Sequence, residues 1–106
     1  MTLGELKTLL CGSGIPFTYE FWDEKRKPEF PYGAYYADGA DTVHADGGTA
    51  LIFTNVVAEL WTKVKSPDSE AKLENALTAA DISFSKGETS FERTENAFVT
   101  TYEFQI

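Results

Sequence analysis

The sequence predicts an α+β sandwich, a mostly antiparallel sheet with two helices packed on one face in the order α-β-β-β-α-β-β. Three observations predict it. Phe98, Thr100, Tyr102, Phe104 and Ile106 share one parity and Val99, Thr101, Glu103 and Gln105 the other, the alternation of a half-buried strand. A second such run covers Leu51 to Val64, with Val56, Ala58, Leu60 and Thr62 on one face and Asn55, Val57, Glu59 and Trp61 on the other. Two helix-start signatures, Thr2 with Glu5 and Ser66-Pro67, stand before short segments of helical period.

The elements follow in order. Thr2 and Glu5 form a capping box, in which each residue's side chain satisfies the other's amide. Leu3, Leu6, Leu9 and Leu10 then repeat at helical spacing, and Gly12-Ser13-Gly14 stops the helix, giving Leu3–Cys11. After Pro16, the residues Phe17, Tyr19 and Phe21 alternate with Thr18, Glu20 and Trp22, which predicts a first strand. Residues 23–31 are charged and interrupted by prolines, a loop between the first two strands. Tyr32 to Ala37 is the second strand, and the Asp- and Gly-rich stretch from Asp38 to Gly48 reads as a long loop in which only Val43 and His44 are strand-like. Leu51 to Val64 is the third strand.

Ser66 at the N-cap and Pro67 at the first position open the second helix, where a missing amide costs nothing. Asp68 and Glu70 complement its dipole, and Leu73, Ala76, Leu77 and Ala80 make its apolar stripe, which ends at Asp81 to Ser83. Strand character resumes at Ile82 to Lys86, with a turn at Lys86-Gly87-Glu88, a short strand around Phe91, a turn from Arg93 to Asn96 and the last strand from Ala97 to Ile106. There are no internal repeats and no second domain in residues 1–106.

Composition sets bounds. Eight Phe, five Tyr and two Trp among 106 residues supply a real core without metal or disulfide help. Seventeen acids against nine bases give a net charge of -8, which disfavours a nucleic-acid partner, because phosphate binding needs a basic footprint. The single cysteine, Cys11, precludes an internal disulfide and reads as a small buried hydrophobe. No basic segment followed by an apolar run predicts a leader, and no run is long enough for a membrane span, so a cytoplasmic protein is expected.

No motif converges on chemistry. Asp38, Asp41 and Asp46 with Gly39, Gly47 and Gly48 suggest a calcium loop, but the third position from Asp38 is Ala40 and the twelfth is Thr49, so the EF-hand pattern fails. His44 beside Asp46 lacks any nominated nucleophile. Asp23, Glu24, Lys25, Arg26 and Lys27 form a charge run that reads as a solvated hairpin tip or as a binding tip for an acidic protein surface. The aromatics Phe17, Tyr19, Phe21 and Trp22 lack the interleaved bases of a single-strand stacking surface and belong to a core or a subunit interface. No enzyme, cofactor or metal is expected. The candidate interaction residues are Asp23 to Lys27, Asp38, Asp41, His44 and Asp46.

Several short segments, in order along the chain, resemble one family. They are Met-Thr-Leu-Gly-Glu-Leu-Lys at 1–7, Pro31-Tyr32, Ala45 to Gly47, Val57-Ala58-Glu59-Leu60-Trp61-Thr62, Ser66-Pro67-Asp68, and Tyr102-Glu103-Phe104-Gln105-Ile106. Together they look like the tail-terminator or tail-completion (head–tail joining) proteins of long-tailed bacteriophages and Gram-positive prophages. That resemblance implies an α+β sandwich that assembles into a ring, commonly a hexamer, capping the head-proximal end of the tail tube. The implied partners are other copies of the chain, the tail tube protein and a head-side connector protein, with DNA only in transit. The implied location is the host cytoplasm during assembly and then the virion tail. On this reading the 23–31 and 38–48 loops contact neighbouring rings, and acids line a lumen to which passing DNA does not stick. Alternatives are a head–tail connector ring component, or a small acidic DNA mimic that inhibits a host enzyme. An enzyme is a further alternative that no residue constellation supports.

Overall fold

Both capping signatures operate as written. In the computed structural model, which describes residues 1–44, 46–48 and 50–106, helix α1 spans Leu3–Cys11. The Thr2 hydroxyl accepts from the Glu5 amide at 3.1 Å, and the Glu5 carboxylate accepts from the Thr2 amide at 2.9 Å. Helix α2 spans Pro67–Ala79, and the Ser66 hydroxyl accepts from the Ser69 amide at 3.3 Å. Ser66→Ala removes that acceptor and is expected to cost about 1 kcal/mol. A thermal melt should then fall by roughly 4–8 °C, and an unchanged melt would show the cap to be idle.

Five strands form one sheet in the order β1-β2-β3-β5-β4. They are β1 (Phe17–Tyr19), β2 (Tyr32–His44), β3 (Ala50–Thr62), β4 (Phe84–Glu92) and β5 (Ala97–Gln105). Every pairing is antiparallel except β1 with β2, which is parallel. The α+β class and the element order are those the sequence predicts.

Five expectations are corrected. β1 stops at Tyr19, because Glu20 turns into the left-handed region at φ 66°. Since β1 and β2 are parallel, residues 20–31 are a crossover rather than a hairpin tip; parallel neighbours need a connection of about a dozen residues. The stretch from Asp38 is no loop: β2 continues to His44, and the Asp38-Gly39 pair forms a bulge at which the register with β3 shifts, Gly39 taking φ 81°. Lys86-Gly87-Glu88 is likewise a bulge within a continuous β4. The third strand ends at Thr62, two residues short of Val64. Ala45 and Thr49, which fall in the stretch read as a loop, lie outside the described residues.

Register explains the core. Val56, Ala58 and Leu60 stand opposite Phe104, Tyr102 and Thr100, so their side chains share one face. Leu6 and Leu10 of α1 and Leu73 and Leu77 of α2 pack on that face, all fully buried. Ile15, Phe17 and Tyr35 extend the cluster towards the β1 edge. Ala76 and Ala80 of the predicted stripe are only half-buried, and Ser69 and Glu70 take the remaining buried positions of α2.

Glu70 does more than complement a helix dipole. Its side chain is 6% exposed and lies between the ammonium groups of Lys65 at 2.8 Å and Lys86 at 2.7 Å. Lys86 also reaches Glu74 at 2.8 Å, and Glu74 accepts from the Tyr102 hydroxyl at 2.7 Å. This network ties α2 to the edge strand β4 and to the inner strand β5. Burial pushes both carboxyls up, but the lysine hydrogen bonds and charges outweigh it, so both lie below the usual carboxylate range.

The crossover lies on the face opposite the helices. Trp22 donates its indole N–H to the Gly33 carbonyl at 2.9 Å and meets Tyr32 edge-on at 6.5 Å. Phe30 stacks on Tyr32 at 5.0 Å. Lys27 lies over the same ring at 5.5 Å and pairs with Glu95 in the β4–β5 turn.

Candidate interaction surface

Pairing lengths determine what projects from this body. β1 covers β2 only as far as Tyr35, and β5 covers β3 only from Asn55, with Ile106 and Thr54 adding two backbone bonds of 2.8 and 2.9 Å. Beyond those points β2 and β3 continue alone as a two-stranded ribbon, Ala40–His44 against Ala50–Thr54. Among the described residues, no third strand pairs with the ribbon and no helix lies above it. Five residues of strand extend about 16 Å, which is why the molecule measures 51 × 25 × 23 Å. We refer to this ribbon as the arm.

The arm is apolar where it ought to be wet. Val43 and Leu51 face one another directly, at 50% and 53% exposure, and Phe53 follows on the same face at 37%. Ile52 is on the helix-side face at 69% exposure. A bare two-stranded ribbon is marginal in water, and a contiguous apolar strip on it marks a contact surface. Its root is fixed by polar bonds. The Gln105 amide donates to Asp41 at 2.7 Å and to Asn55 at 2.8 Å. Beside the root runs an open groove of about 640 Å³ with Asp38, Asp81 and Glu103 in its lining.

The structure separates the two sets of predicted residues. Asp38 is in the bulge, Asp41 and His44 are on the arm, and Asp46 is in the turn at its tip. The acids are strung along the ribbon instead of converging. Among the described residues, no group of three or more His, Cys, Asp or Glu side chains is placed to hold a metal ion. Asp23 to Lys27 lie in the crossover, where the Asp23 carbonyl accepts from the Arg26 amide at 2.8 Å in a tight turn. Lys27 is drawn back onto Glu95 and Tyr32, whose hydrogen bonds hold its amine above the usual lysine range. Within one chain the two sets do not meet.

Two further residues, Cys11 and Glu59, lie outside the arm and the crossover. Cys11 is exposed, contrary to the expectation of burial, with its thiol 3.6 Å from the Phe17 carbonyl. Glu59 is half-buried on the sheet face opposite the helices. Burial pushes its carboxyl up, Trp61 partly offsets this by hydrogen bonding, and the nearby Glu92 adds to the rise. The apolar arm residues Val43, Leu51, Ile52 and Phe53 were not among the predicted site residues, although alternating strand formers on both sides of Asp46-Gly47-Gly48 are a hairpin signal.

No protein-family model matches this chain, and no curated protein matches it. Among the described residues no helix is long and apolar enough to cross a membrane.

Proposed function

We propose that this chain is a structural virion assembly protein, a ring-forming tail terminator or completion protein that caps the head-proximal end of a phage tail tube and allows head joining. One observation carries the proposal: the arm displays Val43, Leu51, Ile52 and Phe53 to solvent on an unsupported ribbon. An exposed apolar strip on such a marginal ribbon is the mark of a surface that a partner protein covers. The ordered short segments that resemble tail-completion proteins supply the assembly in question, and the α+β sandwich agrees with the fold that resemblance implies. The DNA-mimic reading has less support, because Asp41 is engaged by Gln105 and the arm acids are interleaved with apolar side chains instead of forming a phosphate-like row.

Deleting the gene from its phage or prophage and imaging the induced particles tests this. Tails of irregular, excessive length, detached from DNA-filled heads, are expected. Tails of normal length that fail to join would transfer the role to the connector. Normal infectious particles would overturn both and favour the inhibitor.

A further inference from the structure

The two ends of the molecule differ in charge as well as in shape. No lysine or arginine occurs between Lys27 and Lys63, so the entire β2–β3 hairpin is without a base and carries Asp38, Asp41 and Asp46. The opposite end is formed where β3 finishes at Thr62, β2 begins at Tyr32 and β4 turns into β5. Three segments meet there and hold Lys25, Arg26, Lys27, Lys63, Lys65 and Arg93, six of the nine bases in the chain. Lys27 and Lys65 are used within the fold. Among the described residues Lys25, Arg26, Lys63 and Arg93 have no ion-pair partner. Asp23, Glu24, Glu29, Glu92 and Glu95 bring this end close to neutral, in a chain of net charge -8.

This end also presents an apolar recess. A shallow cavity of about 560 Å³ is lined by Pro28, Phe30 and Tyr32, with Glu29, Lys63 and the Lys27–Glu95 pair at its margin. Phe21, 73% exposed, stands in the same crossover. The aromatic floor, with Lys25, Arg26, Lys63 and Arg93 at the same end of the molecule, is the complement of an arm whose apolar strip is edged by aspartates.

We propose that the arm of one copy of this chain docks on the crossover end of the next, Val43 and Leu51, which share one face of the ribbon, covering the Phe30–Tyr32 recess while Asp38 and Asp46 face Lys25, Arg26, Lys63 and Arg93. The occupant is a second copy because both halves of the match are on one chain. Arm-to-arm pairing is disfavoured, since it sets Asp41 and Asp46 against their own equivalents; like charges brought together oppose association. An arm-to-base contact uses two different patches, so it closes into a ring when the rotation per copy allows and otherwise extends as a filament. The contact deepens the ring-forming reading by naming the surfaces that would join its subunits, yet it is testable without any phage.

Charge exchange is the test. One variant reverses the arm (Asp38→Lys with Asp46→Lys) and a second reverses the base (Arg26→Glu with Lys63→Glu). All four side chains are on the surface, so circular dichroism should show both variants folded, and a pair that is not folded is replaced by Asp46→Lys alone and Arg26→Glu alone. Sedimentation of the wild type should show concentration-dependent assemblies that weaken as salt rises. Each reversed variant should lose roughly a hundredfold in self-affinity. Mixing the two should restore assembly, because each basic arm then meets an acidic base and each acidic arm a basic one. A wild type that stays monomeric at all concentrations and salts overturns the proposal, as do assemblies indifferent to either reversal or reversals that mixing does not rescue. Because the readout is purified protein, failure here leaves the tail-length experiment to judge the terminator role separately.

Discussion

Gly33→Ala is expected to destabilise the fold by about 3 kcal/mol, the upper part of the usual range for overpacking. A Cβ built on Gly33 would stand 2.1 Å from Cε2 of Phe17 and 2.4 Å from its Cζ. The ring cannot swing away, because Phe17 is 2% exposed and belongs to the same buried cluster as Leu6, Leu10 and Ile15. Nor can the backbone retreat easily, since Gly33 is paired with Phe17 on one side and Leu60 on the other. The absent side chain at Gly33 is therefore what lets β1 close on β2. Urea denaturation measures the loss, and adding Phe17→Leu to Gly33→Ala should recover part of it by shortening the colliding group. A Gly33→Ala midpoint indistinguishable from the wild type would contradict this account of the β1 edge.

The second large effect is electrostatic and has a sign that pH reveals. Lys65→Ala with Lys86→Ala leaves the Glu70 side chain, 6% exposed, without either of its cations. Removing the partners of a buried charge typically costs 3–5 kcal/mol; because both lysines reach solvent and water can enter in their place, about 2–3 kcal/mol is expected here. In the wild type the Glu70 and Glu74 carboxyls lie below their ordinary value. Their contribution is thus fully present above about pH 4.5 and is lost as pH falls through the lower, folded-state values. In the double variant the burial of Glu70 is no longer opposed, so its carboxyl rises above the ordinary range. Relative to the wild type, stability should then increase on acidification from pH 7 towards pH 5, the raised carboxyl of Glu59 being common to both proteins. Chemical denaturation at three or four pH values separates the cases, and parallel curves for the two proteins would refute the network as described.

How far the sequence reveals this molecule depends on whether a feature is local. Caps are local, so Thr2, Glu5, Ser66 and Pro67 announced both helices and their starts. Alternation is local too, and it grouped Val56, Ala58 and Leu60 on one face of their strand and Tyr102 and Phe104 on one face of theirs, the faces that the helices cover. Bulges defeat such reading. Asp38-Gly39 and Lys86-Gly87-Glu88 carry the residues of turns yet continue their strands, because a neighbouring strand holds them. The parallel pairing of β1 with β2 is a tertiary choice; its trace in the sequence is the presence of Trp22 and Phe30 inside an otherwise polar connection, which pack on Tyr32. The charged residues of the proposed contact surface, Asp23 to Lys27 with Asp38, Asp41 and Asp46, stand out in the sequence as charge runs. Its apolar half does not, because Leu51, Ile52 and Phe53 read as the start of a strand buried on one face, and only the reach of β1 and β5 reveals that nothing among the described residues covers them.

Strand order has a consequence for synthesis. β5 is translated after the other four strands, yet it occupies an inner position between β3 and β4. A nascent chain that has not yet emitted Ala97 to Gln105 can form the β2–β3 ribbon and α1, but β3 then has a bare edge and β4 has no strand to join. The apolar faces of α2 and β3 must wait for Tyr102 and Phe104 before they have a common floor. Folding on the ribosome is thereby postponed until those residues emerge. In that interval the exposed edge is the place where a holdase would protect the chain and where premature aggregation would begin.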